Sequence, residues 1–527
     1  MGSTVTARPV LPVLAGRRGW PPGASLALAI GVFAALSLYC NVRSEGFLEA
    51  DAMTHFTFSR HADTEPAYFT NVWGRPIATA AYAIPANLFA DVRSSVIAVR
   101  VTTLLLAIAC ALITYRVAKG QGLVRPELAA IALLAQPLFF CHSWSELTEI
   151  PFALLAVLAM WAYQARRFFW VALIVSVTPA CRPEGFGLMM IAAFGLLLHR
   201  RWYWLAIMPI PLLIWSAAGA LVEDRTALTR WTEYHNAWWG WLPRNWPYSA
   251  ESAYGRGPLL HFFVRLPILL GPMMLPFFFA GAVVMVRRCV GKARDGILGQ
   301  PIFRDHVARC EMVLLAVPVS IFIVHSLLWW LGKMASNGEL RYLLCVAPFW
   351  AIVAGRGFDW AWARMRLPAP VLIAGLMAVV PPVVANRFWQ VVPIPLYDND
   401  HMGKIAGDWY RADAALNKAY PRVMATPPSM WFFMDISQSD RERGLTWTPA
   451  NVKACPPGTI LFWDPIYGQS NADATLVMSR EVVEKHGWVY VGNVVYGGAW
   501  CNVYLSTKDV TGNRSDPGRW TAPGNVE

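Results

Sequence analysis

Charge is scarce in this chain. Of its 527 residues only 15% are Asp, Glu, Lys or Arg, whereas 56% are hydrophobic and 26 are tryptophan, and the mean hydropathy is positive. So little charge over such a length excludes a soluble globular protein and leaves a polytopic α-helical membrane protein. Acids are scarcer than bases, 33 against 45 lysines and arginines, for a formal net charge of +12. The excess base gathers in short connections between apolar runs, which marks membrane orientation and not a nucleic-acid partner. Cysteine is nearly absent from polar stretches: seven of the nine lie in or beside apolar runs, where a thiol acts as a small apolar residue. The first apolar run ends in SLYCNVRSEGF, which lacks a convincing small-x-small site, so no cleaved signal is expected. No internal repeat is evident.

What the chain does have is apolar windows of the roughly 17–25 residues that cross a bilayer. They fall at 24–40, 96–115, 127–142, 147–164, 168–181, 185–199, 202–221, 260–286, 311–331, 342–356 and 369–385, about eleven transmembrane helices. The stretch PIATAAYAIPANLFA (76–90) is brief and holds Pro76 and Pro85, so it reads as an interfacial or re-entrant piece. If the amino terminus, with Arg8, Arg17 and Arg18, is cytoplasmic, the basic connections all fall on that side. They carry Arg116/Lys119/Arg125, Arg166/Arg167, Arg200/Arg201, Arg287/Arg288/Lys292/Arg294 and Arg356/Arg364/Arg366. This predicts a multi-pass protein of the cytoplasmic (inner) membrane. Its transmembrane unit is 1–386, with a first outer loop at 41–95 and an aromatic outer loop at 222–259. An extracytoplasmic domain follows at 387–510, then a flexible tail at 511–527.

Within that last domain, TILFW (459–463), WVYVGNVVY (488–496) and WCNVYLS (500–506) are β-branched and aromatic, with turn residues at 456–458 and 497–498. They predict strands in a small α/β or mostly β unit. Cys455 and Cys501 share it, and an extracytoplasmic compartment permits a disulfide. The sequence leaves a bridge and two free thiols both open.

Ionisable residues clustered at one face of a membrane protein point to function. Five groups converge on the outer face: Glu49/Asp51 in LEADAMTHF, Arg75 in WGRPI, Glu146/Glu149 in HSWSELTEIPF, Arg182/Glu184 in CRPEG, and Glu339/Arg341 in NGELRYLL. Each has a structural reading beside the functional one. Glu146 and Glu149 suit a helix start, as caps or at the positive dipole end. Arg182 suits a lipid headgroup contact and Arg341 a snorkelling anchor. Residues two apart on a helix point about 200° from each other, so one of Glu49 and Asp51 is expected to face a site. Asp51 shares a face with His55 and is favoured, with Glu49 its rival.

The strings EADAMTHF, SELTEIPF, CRPEG and GELRYLLCVAPF, in this order and on this side, resemble the GT-C superfamily of integral membrane glycosyltransferases, over roughly residues 45–350. Members of that family often carry adjacent acids in the first-loop motif. Here Ala50 separates Glu49 from Asp51, which leaves both carboxylates as matches. The WWDYG motif of the oligosaccharyltransferase branch has only WWGW (238–241) as a counterpart, without its acid.

The resemblance implies a polyprenyl-phosphate-sugar donor, a glycan, lipid or protein acceptor, and a mannosyltransferase-like transfer of a hexose or pentose within membrane lipids. No cofactor is required by the sequence, and a divalent metal, Mg or Mn, is compatible with it. In this chemistry Asp51 deprotonates the acceptor and the sugar is transferred with inversion. Arg182 and Arg341 hold the departing phosphate, while Glu146 or Glu149 positions hydroxyls. The aromatic loop at 231–248 supplies sugar-stacking faces or an interfacial belt. Two other classes stay open: a multi-pass transporter or flippase of lipid-linked or small polar substrates, and a structural or assembly protein.

Overall fold

The computed structural model describes residues 22–224, 237–248, 254–272, 274–290, 301, 305–363, 381, 383–385, 391–440, 442–469, 479–513 and 519–525. Its first half is helical: α1 (Pro22–Arg43), α2 (Ala50–His61), α3 (Pro76–Ala86), α4 (Val92–Gly120), α5 (Pro126–Leu134), α6 (Pro137–His142), α7 (Glu149–Gln164), α8 (Phe168–Val177), α9 (Gly185–Leu198) and α10 (Ile210–Glu223). Then come α11 (Trp241–Arg244), α12 (His261–Val264), α13 (Leu266–Leu270), α14 (Leu275–Cys289), α15 (His306–Leu331) and α16 (Ala347–Trp362).

Among the described residues five helical stretches are long and apolar enough to cross a membrane: Gly23–Arg43, Val92–Gly120, Trp202–Glu223, His306–Leu331 and Leu340–Trp362. Shorter apolar helices run over Glu149–Gln164, Phe168–Ala180 and Gly185–Leu198. The chain is a multi-pass integral membrane protein.

The expected eleven long spans are not what the described residues form, and the reason is local. The window 127–142 breaks before Pro137, which holds Gln136 extended at ψ 124 and separates α5 from α6. The window 260–286 breaks into α12, α13 and α14 at Pro267 and at Gly271, whose φ is 82. Hydropathy averages over such interruptions and cannot report them. The window 369–385 lies largely outside the described residues. The 76–90 stretch forms the eleven-residue α3, too short to cross.

Where α14 meets α16 the two backbones touch through glycine. A side chain at Gly281 would place its Cβ 1.8 Å from the Val353 carbonyl oxygen, and one at Gly357 would lie 1.7 Å from that of Phe277. Small residues permit this close approach, as at many helix contacts within membranes. Phe278 then packs on Trp350 with ring centres 5.2 Å apart.

The carboxy-terminal domain holds a mixed five-stranded sheet. Its strands are β1 (Arg422–Ala425), β2 (Thr459–Trp463), β3 (Trp488–Tyr496), β4 (Ala499–Ser506) and β5 (Gly524–Asn525), in the order β1-β2-β4-β3-β5. β1 runs parallel to β2, β4 is antiparallel to both β2 and β3, and β5 is parallel to β3. Side chains alternate across it. Ile460, Phe462, Cys501, Val503 and Leu505 face one layer, with Met402 and Trp431 from the helices Asp398–Ala412 and Pro428–Met434. Leu461, Trp463 and Tyr504 face the other, with Val452, Val483 and the flank of Cys455. The sheet thus stands between Cys455 and Cys501, and both are free thiols, which settles the disulfide question against a bridge.

This domain is fastened to the start of α2. The Glu45 and Gly46 amides donate to the Ile394 carbonyl at 3.0 and 3.2 Å, and the Ile394 amide donates to Ser44 Oγ at 2.8 Å. Gly46 has no room for a side chain, since a Cβ would lie 2.0 Å from the Pro395 oxygen. Phe432 packs edge-on against Phe47 and Phe56, centroids 4.7 and 5.5 Å away. Arg60, near the end of α2, pairs with Asp435 through Nε at 2.9 Å and Nη2 at 3.1 Å.

Gly357→Val is expected to force α14 and α16 apart, at about 1–3 kcal/mol or more for overpacking. Thermal unfolding of the detergent-solubilised protein should show a lowered midpoint. Gly31→Val, at a site where a Cβ meets nothing within 4 Å, is the control and should leave it unchanged.

Candidate active site

The site begins where α2 begins. Glu49 is not helical: at φ −155 and ψ 161 it is the extended residue preceding the helix, while Asp51 lies in its first turn. The angular rule for helices therefore does not separate them. Both carboxylates reach one guanidinium, Glu49 Oε2 at 2.9 Å from Arg341 Nε and Asp51 Oδ2 at 2.5 Å from Arg341 Nη2. This corrects the expectation that one alone would face the site.

Arg341 lies in a 3₁₀ turn, Leu340–Val346, that leads into α16. Its Nε also donates to Glu339, and its Nη1 lies 3.8 Å from Glu149 Oε1. Glu149 opens α7 without capping it and accepts a bond from Arg182 Nη1. Arg182 in turn clasps Glu184 with two donors, Nε at 3.2 Å and Nη2 at 2.9 Å, and reaches Thr148 Oγ1 at 3.0 Å. His325 Nε2, from α15, lies 3.4 Å from Glu184 Oε1. The CRPEG turn can close this tightly because residue 185 is glycine: a Cβ there would sit 2.4 Å from the Pro179 nitrogen. The Tyr342 ring lies about 6 Å from both guanidinium carbons and stacks on His325 at 4.9 Å.

The result is one chain of alternating charge, from Glu339, Glu49 and Asp51 through Arg341 to Glu149, Arg182 and Glu184. Five carboxylates meet two arginines, an imbalance that a site poor in water resists. The two first-loop acids respond in opposite directions. Burial raises Asp51, but the charge and hydrogen bond of Arg341, helped by His55 and Arg75, outweigh it and hold the carboxyl below its ordinary range. Burial raises Glu49 too, and there Arg341 does not compensate, because Glu339, Asp51 and Glu149 add repulsion; its pKa lies well above the ordinary value. Two neighbouring carboxyls pushed in opposite directions are the division found at acid–base sites. Asp51 is also the group that water reaches most readily, with 39% of its side chain exposed against 8% for Arg341.

Arg75 flanks the group. It donates to Val72 O at 2.9 Å and to the Tyr248 hydroxyl, and its charge is felt by Asp51. His55, expected as a neighbour of Asp51, is buried, stacks on Trp73 at 4.9 Å, and is held neutral because burial lowers its pKa to about 4.

Glu146 does not join the site. Its carboxylate accepts from Arg100 Nε at 2.7 Å, and Arg100 also donates to the carbonyls of Ser44 and Gly46 at 3.3 and 2.8 Å. The pair holds α4 to the segment leading into Glu49. Sequence reasoning passed over Arg100 because it lies inside an apolar window, although an arginine there needs a buried partner. His325 and Tyr342 were missed likewise, and for His325 the same signal existed.

The described part of the aromatic loop is divided: Trp241 and Leu242 pack with Trp215 and Ala220 of α10, Trp239 and Tyr254 are exposed, and Tyr248 accepts a bond from Arg75. Residues 231–236 lie outside the described residues. Among the described residues no three His, Cys, Asp or Glu side chains converge as a metal-ligand set. Glu49, Asp51 and Glu339 converge on Arg341 itself.

No protein-family model and no curated protein matches the chain. Solved structures do. The fold matches ArnT from Cupriavidus metallidurans in the apo state, with a TM-score of 0.56 at 10% identity over 92% of this chain and 98% of that one. The same protein bound to undecaprenyl phosphate matches at 0.56 and 12%, over 92% and 97%. The Archaeoglobus fulgidus oligosaccharyltransferase in complex with Zn and sulfate matches at 0.51 and 12%, over 92% of this chain and 73% of that one. The similarity that the motif strings suggested is thus met at the level of architecture: this chain shares the fold of these ArnT and oligosaccharyltransferase structures.

Proposed function

We propose that this protein transfers a sugar from a polyprenyl-phosphate donor to an acceptor hydroxyl at the extracytoplasmic face of the membrane. The observation that carries the reading is the buried charge chain that ends, at its water-reachable end, in an ionised Asp51. The undecaprenyl phosphate bound by ArnT supports the donor class. The orientation is supported by helix polarity: α7 and α9 start at the site, with Glu149 and just after Glu184, and end next to Arg166/Arg167 and Arg200/Arg201. The basic connections therefore lie at the far end of the bundle from Asp51.

In this mechanism Asp51 takes the proton of the acceptor hydroxyl. The acceptor oxygen attacks the anomeric carbon on the face opposite the donor phosphate, the new C–O bond forms as the old one breaks, and configuration inverts. A lipid phosphate leaves as an anion and needs a cation but no proton, so one base suffices. Arg341 is the cation nearest Asp51 and receives the phosphate. Arg182, with its donors taken by Glu149, Glu184 and Thr148, holds Glu149 and through it Arg341 in place. As the phosphate docks on Arg341 it loosens the pairing to Asp51, which makes Asp51 a stronger base when the acceptor arrives.

Purified protein supplied with radiolabelled polyprenyl-phosphate sugars should consume the donor. Asp51→Asn should lose about 10²–10⁴-fold in transfer, whereas Glu49→Gln should keep most of it. Full transfer by Asp51→Asn, or donor left intact by the wild type, overturns the reading.

The pH profile follows from the two shifts. Asp51 lies below the ordinary carboxylate range, so its base form is already present through the neutral region and kcat/KM should show no acid limb near pH 6. Glu49 lies well above its ordinary value, so as pH rises through it a second negative charge appears beside the donor phosphate and kcat/KM should fall. Glu49→Gln should abolish that alkaline limb. A wild-type acid limb near neutrality would contradict the assignment.

A further inference from the structure

Two connections at the end of the bundle away from Asp51 are built alike. RRFFW (166–170) follows α7 and RRWYW (200–204) follows α9, each with two arginines and then three aromatic residues. Their backbones agree as closely as their letters. After α7 the Arg166 amide donates to the Tyr163 carbonyl at 3.0 Å, and the Arg167 amide to that of Ala162 at 2.9 Å. After α9 the Arg200 amide donates to the Leu197 carbonyl and the Arg201 amide to that of Leu196, both at 2.9 Å. Crossed bonds of this kind close a helix whose next residue turns left-handed, and glycine is the usual occupant because a Cβ is strained there. Here arginine holds the position twice, at φ 57 and φ 56. Helix closure alone does not account for that choice.

The two turns lie side by side. His199, the residue that ends α9, packs its ring on Phe168 and Tyr163, with centroids 4.7 and 5.5 Å away. Tyr163 lies so close to α9 that a Cβ at Gly195 would sit 2.9 Å from its ring. Phe169 meets Trp204 at 5.3 Å and joins the two aromatic sets. All four arginines are exposed, and among the described residues none has a carboxylate partner. Trp170, Trp202 and Tyr203 are exposed beside them. Each arginine pair stands where one apolar helix ends and the next, Phe168–Ala180 or Trp202–Glu223, begins. That is the depth of the lipid headgroups, where tryptophan and tyrosine also gather.

We propose that the two turns together bind the headgroup of an anionic phospholipid. Guanidinium forks from both connections take its phosphate oxygens in pairs, and the exposed rings flank it at the membrane boundary. Orientation of the chain requires only positive charge, which lysine supplies equally. It explains neither arginine at all four positions nor a strained backbone at two of them. The site stands apart from the charge chain at Asp51 and does not depend on the transferase reading.

The test is a native mass-spectrometry titration of the full detergent-solubilised chain with phosphatidylglycerol, phosphatidylcholine and undecaprenyl phosphate. Phosphatidylglycerol should bind the wild type about tenfold more tightly than phosphatidylcholine. A variant with Arg166→Lys, Arg167→Lys, Arg200→Lys and Arg201→Lys keeps every charge, and should lose about tenfold in that affinity. Arg166→Gly with Arg200→Gly should lose it too, with the thermal midpoint unchanged or raised, since glycine relieves the left-handed positions. Arg116→Gln with Lys119→Gln, exposed charges in the last turns of α4, is the control and should bind as the wild type does. Wild-type affinity in the lysine variant would reduce the arginines to orienting charge and overturn the site. An equal loss in the α4 control, or no preference for phosphatidylglycerol, would overturn it as well. Undecaprenyl phosphate held more tightly than phosphatidylglycerol, and lost in the same variants, would overturn the choice of lipid.

Discussion

A guanidinium buried among carboxylates is the constraint around which this protein is arranged. Away from bulk water an unpaired charge costs several kcal/mol, so Arg341 must be met from several directions at once. The segment before α2 brings Glu49, the first turn of α2 brings Asp51, the residue before the 3₁₀ turn brings Glu339, and the start of α7 brings Glu149. Arg182 repeats the device one step deeper with Glu149, Glu184 and Thr148. Four segments distant in sequence, 49–51, 148–149, 182–184 and 339–341, are thereby held together. The surplus of carboxylate over guanidinium is what divides Glu49 from Asp51 in proton affinity.

Around that centre, supporting pairs hold each contributor. Arg100 and Glu146 secure the backbone at Ser44 and Gly46 from the side of α4. The carboxy-terminal domain secures it from the other side, through Ile394 and the Phe47–Phe432–Phe56 stack. Arg60 joins the far end of α2 to Asp435 and also donates to the carbonyls of Ala86, Phe89 and Ala90, so α2 is fixed at both ends. Soluble domain and membrane bundle meet on the helix that carries Asp51.

Some of this could be read from the sequence. The runs 459–463 and 488–496 are β2 and β3 to the residue, because β-branched alternation between turn signals is a local property. β1, only four residues, carried too little pattern to be seen. Within the described residues the apolar windows fall on helices, but their interruptions at Pro137 and Gly271 are backbone events that hydropathy does not weigh. The charges of the site could be picked out together. Their partition could not, because it depends on contacts between remote segments: Glu146 turned to Arg100, 46 residues earlier, and Arg341 found Asp51 across 290. The separation of Cys455 from Cys501 by the sheet is likewise a fact of assembly.

The letters E-A-D at 49–51 straddle the start of α2. Their meaning lies in a boundary, since the backbone is extended at the first letter and helical from the second. Had the helix started a single residue sooner, the same three letters would have sent their acids to opposite sides, and Arg341 would have kept one of them. A pattern search over such chains therefore matches spelling, while what the protein maintains is the position of a helix end.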